Sequence, residues 1–167
     1  MKQLARLVNY AEKQSHKVYC SFVFFYGQQE MPLNKNYLNV LQWKAILQIE
    51  EEFIRSEDYN ELEEALENLI EACLKQGWNV VDAVAPEEIA YFAKIERFIQ
   101  LLQEKLLTLE GCDSLFFEYV LAPTFSLPKW SGSIDCGSHW QSRSIAEASG
   151  ENLLTICEEL LKQLQKP

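Results

Sequence analysis

The sequence has little of what a membrane protein or a secreted, disulfide-framed domain needs. Its longest apolar run, Val18–Tyr26, holds nine residues when Cys20 and Ser21 are counted, less than half of a membrane span. The run is rich in aromatic residues and is followed by Gly27 and polar residues, a pattern unlike a signal peptide. We therefore expect a cytoplasmic protein with no membrane partner.

Paired cysteines and histidines are also scarce. The five cysteines are odd in number and widely spaced, and none forms a C-x-x-C pair. This pattern favours free thiols in a reducing cytosol. Cys136 and His139 have the spacing of two zinc ligands, but no second pair of ligands follows, so we expect no metal. No cofactor motif is present, and we expect no cofactor.

Basic residues form no cluster, which excludes most nucleic-acid binders. The chain carries 15 Lys and Arg against 25 Asp and Glu, a net charge of −10. Because binding to a phosphate backbone depends on positive charge, we expect no nucleic-acid partner.

Acidic residues, in contrast, are concentrated in one block. Ten of the 22 residues from Glu50 to Glu71 are acidic and only Arg55 is basic, so the block carries −9 of the net −10. A local block of one sign produces a directional field that attracts basic partners.

Length and composition predict a single globular α+β domain over residues 1–167. A hydrophobic content of 48% in 167 residues is normal for one packed core. Periodicity predicts a small three- to four-stranded sheet covered by about five helices. Helices are predicted at 2–15, 37–56, 58–76, 86–110 and after Gly150; strands at 18–26, 78–85 and 115–121; and an irregular Gly/Ser/Trp loop at about 123–144. The long helix at about 86–110 is apolar over more than one face, which is typical of a central element.

The helix at 58–76 predicts a candidate binding surface. Counted at about 100° per residue from Leu62, the side chains of Glu64, Glu67 and Glu71 point about 140–200° away from the apolar stripe. Like charges three or four residues apart cost roughly 0.2–0.5 kcal/mol per pair. A basic partner would offset that repulsion, although acidic side chains that only solvate the outer face, or bases elsewhere in the fold, would also explain the pattern.

The loop at 123–144 predicts a second candidate surface. Trp130, Trp140 and Arg143 lie in a region that the core pattern does not need, and Trp and Arg dominate interface hot spots. Two tryptophans that merely pin a loop against the core are the structural alternative. Trp43 and Trp78 lie inside periodic segments and are expected in the core.

The leading hypothesis is a non-enzymatic protein-binding module, such as an inhibitor, an immunity protein or a secretion-chaperone-type adaptor, that engages a basic protein partner. The alternative is a cysteine-dependent enzyme, a thiol hydrolase or transferase. In that alternative Cys136 is the nucleophile, His139 the base and Asp135 the residue that orients it.

Overall fold

The computed structural model describes residues 1–15, 18–28, 41–80, 84–121, 129–136 and 143–165. Four helices and six strands lie within these residues. In chain order they are α1 (Lys2–Ser15), β1 (Cys20–Gln28), β2 (Leu41–Ile49), β3 (Glu52–Arg55), α2 (Leu62–Lys75), α3 (Pro86–Leu106), β4 (Cys112–Leu121), β5 (Trp130–Cys136), β6 (Arg143–Gly150) and α4 (Leu153–Leu164).

All six strands form one antiparallel sheet in the order β3-β2-β1-β4-β5-β6. The central pair is β1 and β4, with Phe24 opposite Phe117. Each half of the chain contributes a helix, three strands and a second helix, α1 to α2 and then α3 to α4. The strand order is symmetric about the central pair, so the two halves have the arrangement of one unit used twice.

One face of the sheet carries the hydrophobic core. Side chains alternate along a strand, and those that point toward the helices are large and buried. They form one cluster with the inner faces of all four helices, and its largest fully buried strand residues are Phe22, Phe24, Trp43, Leu47, Phe117 and Tyr119. Burial of this apolar area, at about 25 cal/mol per Å2, is the main stabilising contribution.

The predicted sheet of three to four strands under about five helices is wrong, because the described residues form six strands and four helices. The largest error concerns residues 37–56, whose described part forms β2, a turn and β3 instead of a helix. Ala45 and Ile49 are four residues apart, a spacing that fits both a helix and a strand. Trp43 and Leu47 identify the segment as a strand, because they and Ala45 are buried on one face while the residues between them are only partly buried.

Two other segments also differ from the prediction. Residues 78–85 contain no strand in their described part, which is 78–80 and 84–85. The predicted irregular loop at about 123–144 contains the whole of β5 and the start of β6. Residues 122–128 and 137–142 lie outside the described residues.

The long helix is present as α3, but it is not the central element. Ile95, Ile99 and Leu102 are buried as predicted. The second apolar side of the helix faces solvent, since Leu101 is 41% exposed. The sheet is therefore the centre of the fold, and α3 packs across α1, α4 and β4. The predicted helices at 2–15 and after Gly150 and the predicted strands at 18–26 and 115–121 are confirmed as α1, α4, β1 and β4.

Candidate protein-binding site

The three predicted glutamates form an acidic ridge on α2, which we define as Glu64, Glu67 and Glu71. All three side chains are exposed. The opposite side of the helix is buried through Leu62, Ala65, Leu66, Leu69, Ile70 and Cys73. The predicted orientation of the ridge is therefore confirmed, and its carboxylates face outward.

Few positive charges neutralise the ridge. Lys75 Nζ lies 3.9 Å from Glu71 Oε2, and both side chains are largely exposed, so this pair contributes little to stability. Within the described part of the chain, Glu64 and Glu67 have neither a hydrogen bond nor an ion pair. Burial and then the nearby carboxylates of Glu57, Glu71 and Glu64 raise the pKa of the Tyr59 phenol.

The C-terminus of α2 fixes the position of Trp78. Gly77 has φ 81°, a left-handed conformation that glycine adopts without strain. Its N–H donates to the Leu74 carbonyl at 3.0 Å, and the Trp78 N–H donates to the Cys73 carbonyl at 2.9 Å. These two bonds are the pattern of a Schellman motif, which ends the helix and holds the following residue against it.

The first three glutamates of the acidic block lie in and after the turn between β2 and β3. Ile49 pairs with Glu52, which leaves a two-residue turn of Glu50 and Glu51. Glu50 has φ 53°, a conformation that costs a non-glycine residue about 1–2 kcal/mol and that hairpins usually give to Gly or Asn. Its N–H donates to the Tyr19 carbonyl at 3.0 Å, which ties the turn to the start of β1.

An open groove of about 860 Å3 lies beside this turn. We call it the Trp78 groove and define it by the aromatic side chains of Tyr10, Tyr19 and Trp78 and by the carboxylates of Glu50–Glu52. Trp78 is half-buried here and not fully in the core as predicted. The sequence alone does not indicate this site, because its aromatic residues come from three separate segments of the chain that only the fold brings together. The only sequence signal for a turn at Glu50 is the alternation of inward-facing and outward-facing residues along β2, which ends there.

A second groove continues from the first. It has a volume of about 780 Å3 and shares Glu51, Glu52 and Trp78 with the Trp78 groove. Phe53, which at 65% is the most exposed large apolar side chain among the described residues, lines it together with Lys75 at the end of α2. Because Lys75 also contacts Glu71 of the ridge, the two grooves and the ridge form one continuous surface.

The structure places Cys136 in a disulfide with Cys112, across β4 and β5. The expectation that all five cysteines are free thiols is therefore wrong for these two. The enzyme alternative requires Cys136 as a thiolate, and the disulfide occupies that sulfur. His139 lies outside the described residues.

Asp135 has hydrogen-bond partners other than those of the enzyme alternative. It accepts hydrogen bonds from Ser133 Oγ at 3.2 Å and Ser144 Oγ at 2.5 Å. Successive residues of a strand point to opposite faces of a sheet, so Asp135 and Cys136 direct their side chains apart. The structure therefore does not bring the two together as a catalytic pair.

The second predicted surface does not form as expected, because the fold buries Trp130 and exposes Arg143. Trp130 is 5% exposed and stacks on Tyr119 with ring centroids 4.4 Å apart, so it packs within the core. Arg143 is exposed on β6. Four strand spacings separate β6 from β2, on which α2 packs, a distance of about 19 Å. Arg143 does not belong to the surface that carries the ridge, and Trp140 lies outside the described residues.

The remaining cysteines are buried and poor nucleophiles. Burial, with a smaller contribution from Glu50, raises the pKa of Cys20 to about 11, and burial raises those of Cys73 and Cys157 to about 12. A thiol with such a pKa is almost fully protonated at neutral pH. Among the described residues, no three His, Cys, Asp or Glu side chains are grouped as metal ligands.

Comparisons with known proteins identify no family. No protein-family model matches the sequence, and no curated protein matches it. A crystal structure of a proposed modulator of a DNA gyrase from Thermotoga maritima aligns with 97% of this chain at 9% identity and a TM-score of 0.21. The chain spans 47% of that protein. A TM-score this low does not establish a shared fold, so no conclusion rests on it.

None of the helices in the described ranges has the length and apolarity needed to cross a bilayer.

Proposed function

We propose that this protein is a non-enzymatic binding module that engages a basic protein partner through the acidic ridge and the adjacent β2–β3 turn. Inhibitors, immunity proteins and secretion-chaperone-type adaptors all work in this way, by capturing another protein without chemistry of their own. A cytoplasmic location remains part of the proposal, and the disulfide between Cys112 and Cys136 is the feature that weighs against it.

The observation that carries the proposal is the lack of compensation at Glu64 and Glu67. Bases elsewhere in the fold would have made the ridge a structural feature, yet no described residue pairs with these two carboxylates. The repulsion between like charges along α2 is therefore unrelieved in the described part of the molecule. A basic partner gains attraction from the same charges, and the field also steers its approach.

The test begins with identification of the partner by pull-down from the native source and mass spectrometry. The association rate is then measured for the wild type and for the triple variant Glu64→Gln, Glu67→Gln and Glu71→Gln at several salt concentrations. We expect the wild-type rate to fall steeply with salt, and the variant to associate more slowly with a weaker salt dependence.

A matched control separates the ridge from overall charge. Replacing Glu104, Glu110 and Glu151 with Gln also removes three exposed carboxylates, so both variants change the net charge from −10 to −7. The control should retain most of the wild-type association rate. An equal loss of association rate in both variants would show that net charge, and not the ridge, drives association. An unchanged association rate in both variants would contradict the proposal.

A further inference from the structure

We propose that the Trp78 groove holds a lysine or arginine side chain of the partner, presented on a segment whose neighbouring apolar residue packs on Phe53. This inference rests on the proposed function and names the part of the partner that is recognised. The occupant is a segment of a basic protein, and complementarity of charge and shape selects it.

The first groove has the side chains that recognise an organic cation. Tyr10 of α1, Tyr19 just before β1 and Trp78 just after α2 all line one open space. Aromatic faces attract ammonium and guanidinium groups by about 0.5–2 kcal/mol. The Glu50–Glu52 carboxylates line the same space and supply acceptors for the donors of the cation. An anionic or purely apolar ligand would leave these carboxylates without a partner.

The second groove extends the site and favours a polypeptide over a small cation. Phe53 is 65% exposed and lines the second groove, which shares Glu51, Glu52 and Trp78 with the first. A free amine would fill only the first groove. A segment with an apolar residue beside its base would bury Phe53 as well, and buried aromatic residues are common energetic centres of interfaces.

The ridge and the grooves would then act at different stages of binding. The ridge consists of exposed charges, which mainly change the association rate. The grooves hold aromatic residues in close contact with the bound segment, and such contacts mainly change the dissociation rate. The two proposals therefore have separate kinetic signatures.

Peptide titrations followed by NMR test the inference directly. The probes are the peptide Ac-Gly-Ser-Arg-Leu-Ser-Gly-NH2, the same peptide with Gln in place of Arg, and arginine amide alone. We expect the arginine peptide to shift the indole signal of Trp78 and the backbone signals of Glu50–Glu52. The glutamine peptide and arginine amide should each bind at least about tenfold more weakly, which corresponds to about 1.4 kcal/mol.

Variants locate the contact. Tyr19→Leu and Trp78→Leu keep apolar volume but remove an aromatic face, and each should weaken binding of the arginine peptide by about 2- to 30-fold. Phe116→Leu, a partly exposed aromatic on another strand, is the control and should bind as the wild type does. Thermal unfolding confirms that each variant is folded. If Trp78→Leu does not fold, Tyr19→Leu alone tests the groove.

The outcomes distinguish this inference from the function on which it rests. If both groove variants bind the arginine peptide with wild-type affinity while the ridge variant loses partner binding, the groove is not the binding site for the basic side chain. The proposed function would still stand. Equal affinity for arginine amide and the peptide would overturn the polypeptide occupant. Failure of the arginine peptide to bind anywhere would overturn the groove, and a partner rate without salt dependence would overturn the proposed function independently.

Discussion

The side-chain amide of Gln163 binds both backbone polar groups of Glu147. Its Oε1 accepts a hydrogen bond from the Glu147 N–H at 3.0 Å, and its Nε2 donates to the Glu147 carbonyl at 2.8 Å. Glu147 lies in β6, which has a neighbouring strand on one side only among the described residues. A side chain of α4 therefore occupies the position on β6 where a further strand could pair, which is one way in which proteins protect sheet edges.

Gln163→Ala should destabilise the fold by about 1–2 kcal/mol, because two hydrogen bonds of about 0.5–1.5 kcal/mol each are lost. The amide of Glu147 should exchange with deuterium faster than in the wild type. Hydrogen exchange and urea unfolding measure the two effects. Gln100→Ala, at an exposed position on α3, is the control. Unchanged exchange at Glu147 would show that the amide does not protect this edge.

Gly132 and Gly27 should respond in opposite ways to alanine. A Cβ at Gly132 would lie 3.1 Å from side-chain atoms of Ile156, Leu160 and Phe117, closer than packed carbon atoms normally approach. Overpacking of this kind costs typically about 1–3 kcal/mol. A Cβ at Gly27 has its nearest contact at 3.4 Å, so Gly27→Ala should be neutral or slightly stabilising. Urea unfolding of the two variants tests the contrast, and similar losses in both would contradict it.

The disulfide between Cys112 and Cys136 should stabilise the fold by about 3 kcal/mol, because it closes a loop across a sequence separation of 24 residues. Thermal unfolding with and without a thiol reductant measures this contribution. The variant with Ser at both positions should unfold like the reduced protein and should not respond to reductant. A wild-type protein that is equally insensitive would show that the pair is not bonded in solution.

The sequence predicts local structure well where only one period fits it. Leu4, Leu7, Val8 and Ala11 have helical spacing alone, and α1 forms as predicted. The prediction fails at β2, because the spacing of Ala45 and Ile49 fits both a helix and a strand. The prediction also lacks β5, because that strand is rich in Gly and Ser and resembles a loop. In the fold Trp43 is buried and lies opposite Tyr26 of β1, a pairing between separate segments that no local pattern contains.

The candidate site likewise has one part that the sequence predicts and one part that it does not. The outward direction of Glu64, Glu67 and Glu71 follows from helical geometry, so one sequence suffices to predict it. The Trp78 groove depends on how α1, β1 and α2 approach each other, and no local pattern contains that information. Only the fold brings Tyr10 and Trp78 to one surface.

The buried thiols should make the protein less stable at alkaline pH. The pKa values of Cys73 and Cys157 are raised by burial from about 9 to about 12. Above pH 9 the unfolded chain loses these protons while the folded chain keeps them, so the free energy of unfolding falls between about pH 9 and 12. Thermal unfolding from pH 7 to 11 should show this decline. Cys73→Ala should decline less steeply, and an unchanged slope would contradict the contribution of this thiol.

Glu50→Gly should raise stability and weaken partner binding at the same time. The left-handed φ of 53° costs Glu about 1–2 kcal/mol, whereas glycine adopts it freely but loses about 0.5–1 kcal/mol in chain entropy. A net gain of up to about 1.5 kcal/mol is expected in urea unfolding. Glu50→Gln is the matched variant, because it removes the charge and keeps the backbone cost. It should bind as weakly as Glu50→Gly without the gain in stability. If both variants bind the partner as tightly as the wild type, the turn carboxylate is not part of the binding surface, and the strained conformation of Glu50 has no role in recognition.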